Sequence, residues 1–175
     1  MSSLAARSAL VGAVVALGLA SACPVFAQAS SDTRPSFSLS AGASQFDLSG
    51  TGVAPIVAAR VDLPLNRVLI AEGGVSFMRT AEQFDQHYSY LIPEAQLQAQ
   101  LPWGRVHPYI GAGIGYLSGI DAPAWVNDAT FSASVGTRVG LTSAVGLQAE
   151  LRVRGVSTDF TGGAAEWTGG MSWRF

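Results

Sequence analysis

The chain has 175 residues, enough for one domain, with 49% apolar residues, only 13% charged residues and a net charge of -2. All ten basic side chains are arginine and they gather in no stripe, which excludes a nucleic-acid footprint. Cys23 is the only cysteine. It falls in a leader segment, which leaves the rest of the chain without a disulfide or a thiolate metal site.

Residues 1–27 read as a signal peptide. Arg7 supplies the positive start, SALVGAVVALGLASA the apolar stretch, and VFAQA the small-residue cleavage site, with Val25 and Ala27 at the recognised positions; a cut after Ala29, with Ala27 and Ala29 there, is the alternative. ASAC, ending at Cys23, is similar to a lipoprotein processing box, but VFAQA is the better site, and Cys23 is then discarded. The remaining domain, 28–175, has no uncharged apolar run of about 18 residues, so no helix is expected to span a membrane.

From residue 36 onward the pattern is alternation, the signature of strands with two unlike faces. Residues 36–46 set Phe37, Leu39, Ala41 and Ala43 against serines. Residues 52–63 set Val53, Val57, Val61 and Leu63 against Arg60 and Asp62. Residues 68–79 set Leu69, Val75 and Phe77 against Glu72 and Ser76. Residues 88–101 set Leu91, Pro93, Leu97 and Leu101 against Glu94 and three glutamines. Residues 106–118 set Ile110, Ile114 and Tyr116 against Tyr109 and three glycines. Residues 129–141 set Phe131, Val135 and Val139 against Ser132, Ser134 and Arg138. Residues 146–157 set Leu147, Leu151 and Val153 against Glu150, Arg152 and Arg154. The last segment sets Trp167, Met171, Trp173 and Phe175 against Glu166, Thr168, Ser172 and Arg174. Pro93 removes a backbone donor, so a bulge or a weakened ladder is expected there.

The connections alternate as well. PLNR (64–67), PWGR (102–105) and TSAVG (142–146) are tight turns. Those around 47–51, 80–87, 119–128 and 158–165 are longer and polar, as in an outer-membrane barrel. The fold expected is all-β: a closed, eight-stranded, antiparallel, up-and-down transmembrane β-barrel with both termini at the short-turn end.

Charge decides which face looks inward. The polar faces carry Arg60, Arg138, Arg152, Arg154 and Arg174, and Asp62, Glu72, Glu94, Glu150 and Glu166. Five against five suits an enclosed lumen, where an unpaired charge costs several kcal/mol. The apolar face then meets lipid. Phe37, Trp103, Trp173 and Phe175 form one aromatic girdle, and Phe77, Tyr116 and Trp167 the other.

PYIGAGIGY (108–116) and the closing TGGMSWRF make residues 28–175 resemble the small bacterial outer-membrane barrels of the OmpA-like transmembrane type. The resemblance implies a bacterial outer-membrane location. It also implies that Thr168, Gly170, Trp173 and Phe175 are a C-terminal assembly signal read by the outer-membrane assembly machinery. Lipid and lipopolysaccharide are the other expected partners, and the barrel is expected to be a monomer.

GAGIG (111–115) is not a dinucleotide loop, because the third glycine comes too early and no helix follows. Its glycines are expected to face the lumen and leave room for arginines. His87 and Ser89 in HYSY share one strand face, as in some lipid A deacylases, but the rest of that signature is missing and 151–160 carries no His. Tyr88 and Tyr90 are read as girdle or rim aromatics. Asp47, Glu82, Asp85, Asp121, Asp128 and Asp159 sit in predicted outer loops, where they are solvated or share divalent cations with lipopolysaccharide phosphates. No catalytic, cofactor or metal site is assigned. The reading is a non-enzymatic envelope protein with a charge-paired, plugged lumen. Its competitors are a narrow OmpW-like solute channel, a lipid A acyl hydrolase and a soluble secreted ligand-binding barrel.

Overall fold

The computed structural model describes residues 34–45, 52–81, 87–120, 127–156 and 159–175. They form eight strands: β1 (Ser36–Gln45), β2 (Val53–Pro64), β3 (Leu69–Ala81), β4 (His87–Gln100), β5 (Val106–Gly119), β6 (Asp128–Gly140), β7 (Val145–Val156) and β8 (Asp159–Arg174). Each pairs antiparallel with its chain neighbours, and β8 closes on β1. Closure gives every strand two partners, which a sheet facing hydrocarbon requires.

The registers fix the barrel's shape. One circuit runs from Ser36 through Asp62, Glu72, Gln96, Gly113, Ser132 and Arg154 to Ala164. Ala164 adjoins the Ala165 that pairs with Gln45, so the circuit climbs ten residues along the chain. With eight strands, that stagger tilts them by about 40° and raises the wall about 2.5 Å per residue. Val53 to Leu63 then covers about 25 Å, the height of a lipid-facing apolar band.

The faces are sorted as charge and hydropathy demand. Ile110 and Ile114 are 64% and 63% exposed, while Arg152 and Glu166 are 2% and 1% exposed. This is the opposite of a soluble barrel, which packs its aliphatic residues at the centre. Trp103, Trp173 and Phe175 lie exposed at the turn end, where the Phe37 and Trp173 rings stack with centroids 6.2 Å apart. Phe77, Tyr116 and Trp167 are exposed nearer the loop end.

The short turns carry their own chemistry. Asn66 Oδ1 accepts from the Val68 and Leu69 N–H groups, both at 2.8 Å. Thr142 Oγ1 accepts from Val145 N–H at 3.0 Å. Gly104 takes φ 63°, a conformation that costs glycine nothing. At the same end Phe175 N–H donates to the Pro35 carbonyl at 3.1 Å, joining the two ends of the barrel wall.

Two local features differ from or sharpen the sequence expectations. β8 begins at Asp159, so 159–165 is strand rather than loop. The segment pairs with β7 through a register shift at Gly155/Val156. TGGAA consists of small residues with no contrast between faces, so alternation gave no signal there. At Pro93 the β4–β5 ladder is interrupted: pairing stops at Leu91↔Ser118 and resumes at Glu94↔Gly115 in the same register. The missing donor weakens the ladder without producing a bulge.

Candidate functional site

The inward face splits into two regions. The first is a chain of alternating charge. Arg154 Nε meets Glu166 Oε1 at 2.9 Å, and its Nη1 meets Glu94. Arg152 Nη1 meets the other oxygen of Glu94. Its Nη2 reaches Glu72 at 2.8 Å and its Nε reaches Glu150 at 3.0 Å. Arg60 bridges Glu150 at 3.3 Å and Glu72 at 3.7 Å. Arg138 closes the chain on Asp62 at 3.2 Å and Glu72 at 3.7 Å. From Glu166 to Asp62 these contacts cover roughly 15 Å of barrel height, drawn from six strands.

Neutral groups knit the chain together. Tyr109 O–H donates to Glu150 at 2.8 Å, and the Arg138 guanidinium lies 4.2 Å over the Tyr109 ring. Gln98 donates to Glu72 at 2.8 Å and accepts from Arg138 at 2.6 Å. Ser132 donates to Glu94 and Ser36 to Asp62. Every charged side chain of this chain is at most 8% exposed. Such a cluster holds only while its members stay together, because one removed partner strands the others in a medium that cannot hydrate them.

Nine of the ten charges expected in the lumen therefore lie in one linked set. Arg174 lies half-buried at the turn-end rim beside Gly140. The nine linked groups carry four positive and five negative charges, and the rim arginine brings the sum to zero. Gly111, Gly113 and Gly115 do face inward, but what they accommodate is different. A Cβ at these positions would strike Gln96 and Gln98 of β4 and Ser132 and Thr130 of β6, so the space serves neighbouring strands rather than arginines.

The second region was hidden in the sequence. At the loop end Ala54, Ile56, Met78, Tyr90 and Ile92 are buried on the inward face, with Tyr88 and Leu117 packed against them. Tyr90 is thus an interior residue, not a girdle aromatic. The available signal was that VAPIVAA (53–59) is apolar on both faces, a continuous run that marks a strand buried on both sides.

Among the remaining candidates, Ser89 pairs with Arg79 on β3, in register with the outward-facing residues. His87 begins β4 opposite Ala81. Trp173 and Phe175 project outward, while Thr168 lies inward and buried. Gly170 faces inward where β8 meets β1, and a Cβ there would collide with the Leu39 carbonyl and Ser40. Asp128 opens β6 and caps its own strand, its Oδ1 accepting from Ala129 N–H at 2.7 Å. Asp47, Glu82, Asp85 and Asp121 lie outside the described residues, as do the leader and Cys23. Among the described residues no group of three or more potential metal-ligating side chains forms a metal site.

Residues 13–175 match the family described as outer membrane protein beta-barrel domain. No curated protein matches the chain. The chain is also similar in fold to solved structures, three of which follow. Neisserial surface protein A superposes with a TM-score of 0.66 at 15% identity, covering 81% of this chain and 96% of that one. The outer membrane protein OprG from Pseudomonas aeruginosa gives 0.55 at 12% identity, covering 82% and 97%. A de novo designed transmembrane β-barrel gives 0.53 at 10% identity, covering 82% and 96%. At these identities the likeness is one of fold.

Proposed function

The chain belongs to the outer membrane protein β-barrel domain family, and from that premise we propose that it is an integral outer-membrane barrel of the bacterial envelope with a structural or surface-contact role. Residues 1–27 direct export and are removed. The lumen is plugged, and the protein catalyses no reaction.

The observation that carries this reading is the buried chain of ion pairs from Glu166 to Asp62. An eight-stranded barrel is only wide enough for side chains to fill it. Four arginines joined to five carboxylates across that space leave little room for a stream of hydrated solute. The monomer assembles through the outer-membrane assembly machinery, which reads Thr168, Gly170, Trp173 and Phe175. It holds lipid through its two aromatic girdles. Its loop acids share divalent cations with lipopolysaccharide, a contact that Asn or Gln replacements would abolish in a chelator-sensitive retention assay.

Fractionation and conductance test the proposal together. A heat-modifiable, detergent-requiring protein is expected in the outer membrane, with no stepwise conductance in a planar bilayer. Recovery in the soluble periplasmic fraction would end the membrane reading. Well-resolved conductance steps would replace the plugged barrel by a small-solute channel.

A further inference from the structure

We propose that the loop end of the lumen is a binding chamber for a small uncharged apolar molecule, about the size of one aromatic ring or a short alkyl chain. A half-open cavity of about 180 Å³ lies there, with Met78, Ile92 and Leu117 on one side and Val156 and Ala164 on the other. Ile92 and Ile56 of the adjoining cluster are each 1% exposed, so this wall is already out of water.

Core packing alone does not explain the arrangement. Interiors close to nearly crystalline density, and a void of this size forfeits the dispersion contacts of everything that lines it. Here β2, β3 and β4 turn aliphatic and aromatic side chains inward, while on the facing stretch of β8 the described residues that line the space are Gly163, Ala164 and Glu166. Among the described residues, the small Gly163 and Ala164 leave the space open on that side. An apolar cavity of about 150 Å³ is sufficient to take up benzene, so the volume suits a ligand of that class.

The polar boundary of the chamber sets the ligand's charge. Arg154 and Glu166 line the cavity and hold each other at 2.9 Å, and Arg154 also holds Glu94. A charged ligand would have to break these contacts in a desolvated site, whereas a neutral apolar one leaves them intact.

Two methionines supply the test. Met78 lies in the chamber wall, while Met171 is 41% exposed on the lipid face. The barrel, labelled with 13C at the methionine methyls and placed in lipid nanodiscs, is titrated with toluene. The Met78 methyl resonance is expected to shift and saturate, whereas that of Met171 drifts linearly as toluene enters the lipid. Ala164→Phe fills the chamber and is expected to abolish the saturable shift at Met78 without changing Met171. Leu117→Trp fills the same space from the opposite wall and carries the same expectation should Ala164→Phe fail to give a heat-modifiable barrel. A Met78 response that is linear with the slope of Met171, or a saturable response that survives in a folded filled variant, overturns the proposal.

Discussion

Arg152→Leu measures what the ion-pair chain contributes. Arg152 is 2% exposed and touches Glu72 at 2.8 Å, Glu150 at 3.0 Å and one oxygen of Glu94. Leucine keeps part of the volume and removes the charge. Breaking a buried pair costs about 3–5 kcal/mol, chiefly because the surviving charge is stranded. None of the three carboxylates is wholly abandoned, however. Glu72 keeps Arg60 and Arg138 at 3.7 Å, Glu150 keeps Arg60 at 3.3 Å, and Glu94 keeps Arg154. That places the expected loss at the low end, about 3 kcal/mol. At usual denaturant slopes the urea midpoint of the barrel refolded in lipid vesicles falls by about 1–3 M. Removing a carboxylate as well, in Arg152→Leu with Glu94→Leu, restores the charge balance and recovers at least about 1 kcal/mol of the loss. A single variant displaced by less than about 1 kcal/mol, or a double variant weaker than the sum of its parts, would refute the view that the charges hold one another in place.

Depth in the bilayer gives a second expectation. Val135→Arg puts a charge on the exposed face near mid-height and should destabilise the vesicle-embedded barrel by about 2–4 kcal/mol, whereas Leu141→Arg in a turn should cost no more than about 1 kcal/mol. Equal urea midpoints for the two would place the lipid elsewhere. Gly170→Ala should impair refolding into vesicles without any assembly factor, because its Cβ meets the β1 backbone at the closing seam. Full refolding in vitro with failure only in cells would assign Gly170 to the assembly signal instead. Deleting Phe175 should show the reverse behaviour: refolding persists in vitro, since the residue is exposed and donates one terminal hydrogen bond, while outer-membrane yield in cells drops.

Seven strand positions and the inward set of nine charges were legible because each depends on period-2 contrast between a lipid face and a charged face. Arg60, Asp62 and Glu72 stand out against Val61, Leu63 and Ala71 with no structure needed. Where the contrast fades, so did the reading. The start of β8 runs through TGGAA, where both faces are small, and the interior of β2 at Ala54 and Ile56 is as apolar as its exterior at Val53 and Val57. HYSY reads as girdle or rim aromatics, yet the parity of Tyr90 with Ile92 and Glu94 sets it on the inner face. Arg174 shares the parity of the lumen charges but not their depth, since it stands at the last position of its strand.

The uneven lumen has a physical consequence for how the barrel finds its register. A one-residue slip exchanges the inner and outer faces of a strand. In the turn-end and middle part of the wall such a slip would turn Arg60, Arg138, Arg152 or Arg154 into hydrocarbon. A slip of β7 alone exposes both Arg152 and Arg154, at about 2–4 kcal/mol each, or roughly 4–8 kcal/mol against the wrong pairing. At the loop end a slip exchanges Ile56 for Val57 or Ile92 for Leu91, and hydrocarbon scarcely distinguishes them. Register is therefore imposed by the charged part and propagated through the ladders to the apolar part. Because the charges already specify the pairing, the loop-end interior is free of that duty, and its side chains can be apolar, with an open space between them, without making the strand order ambiguous.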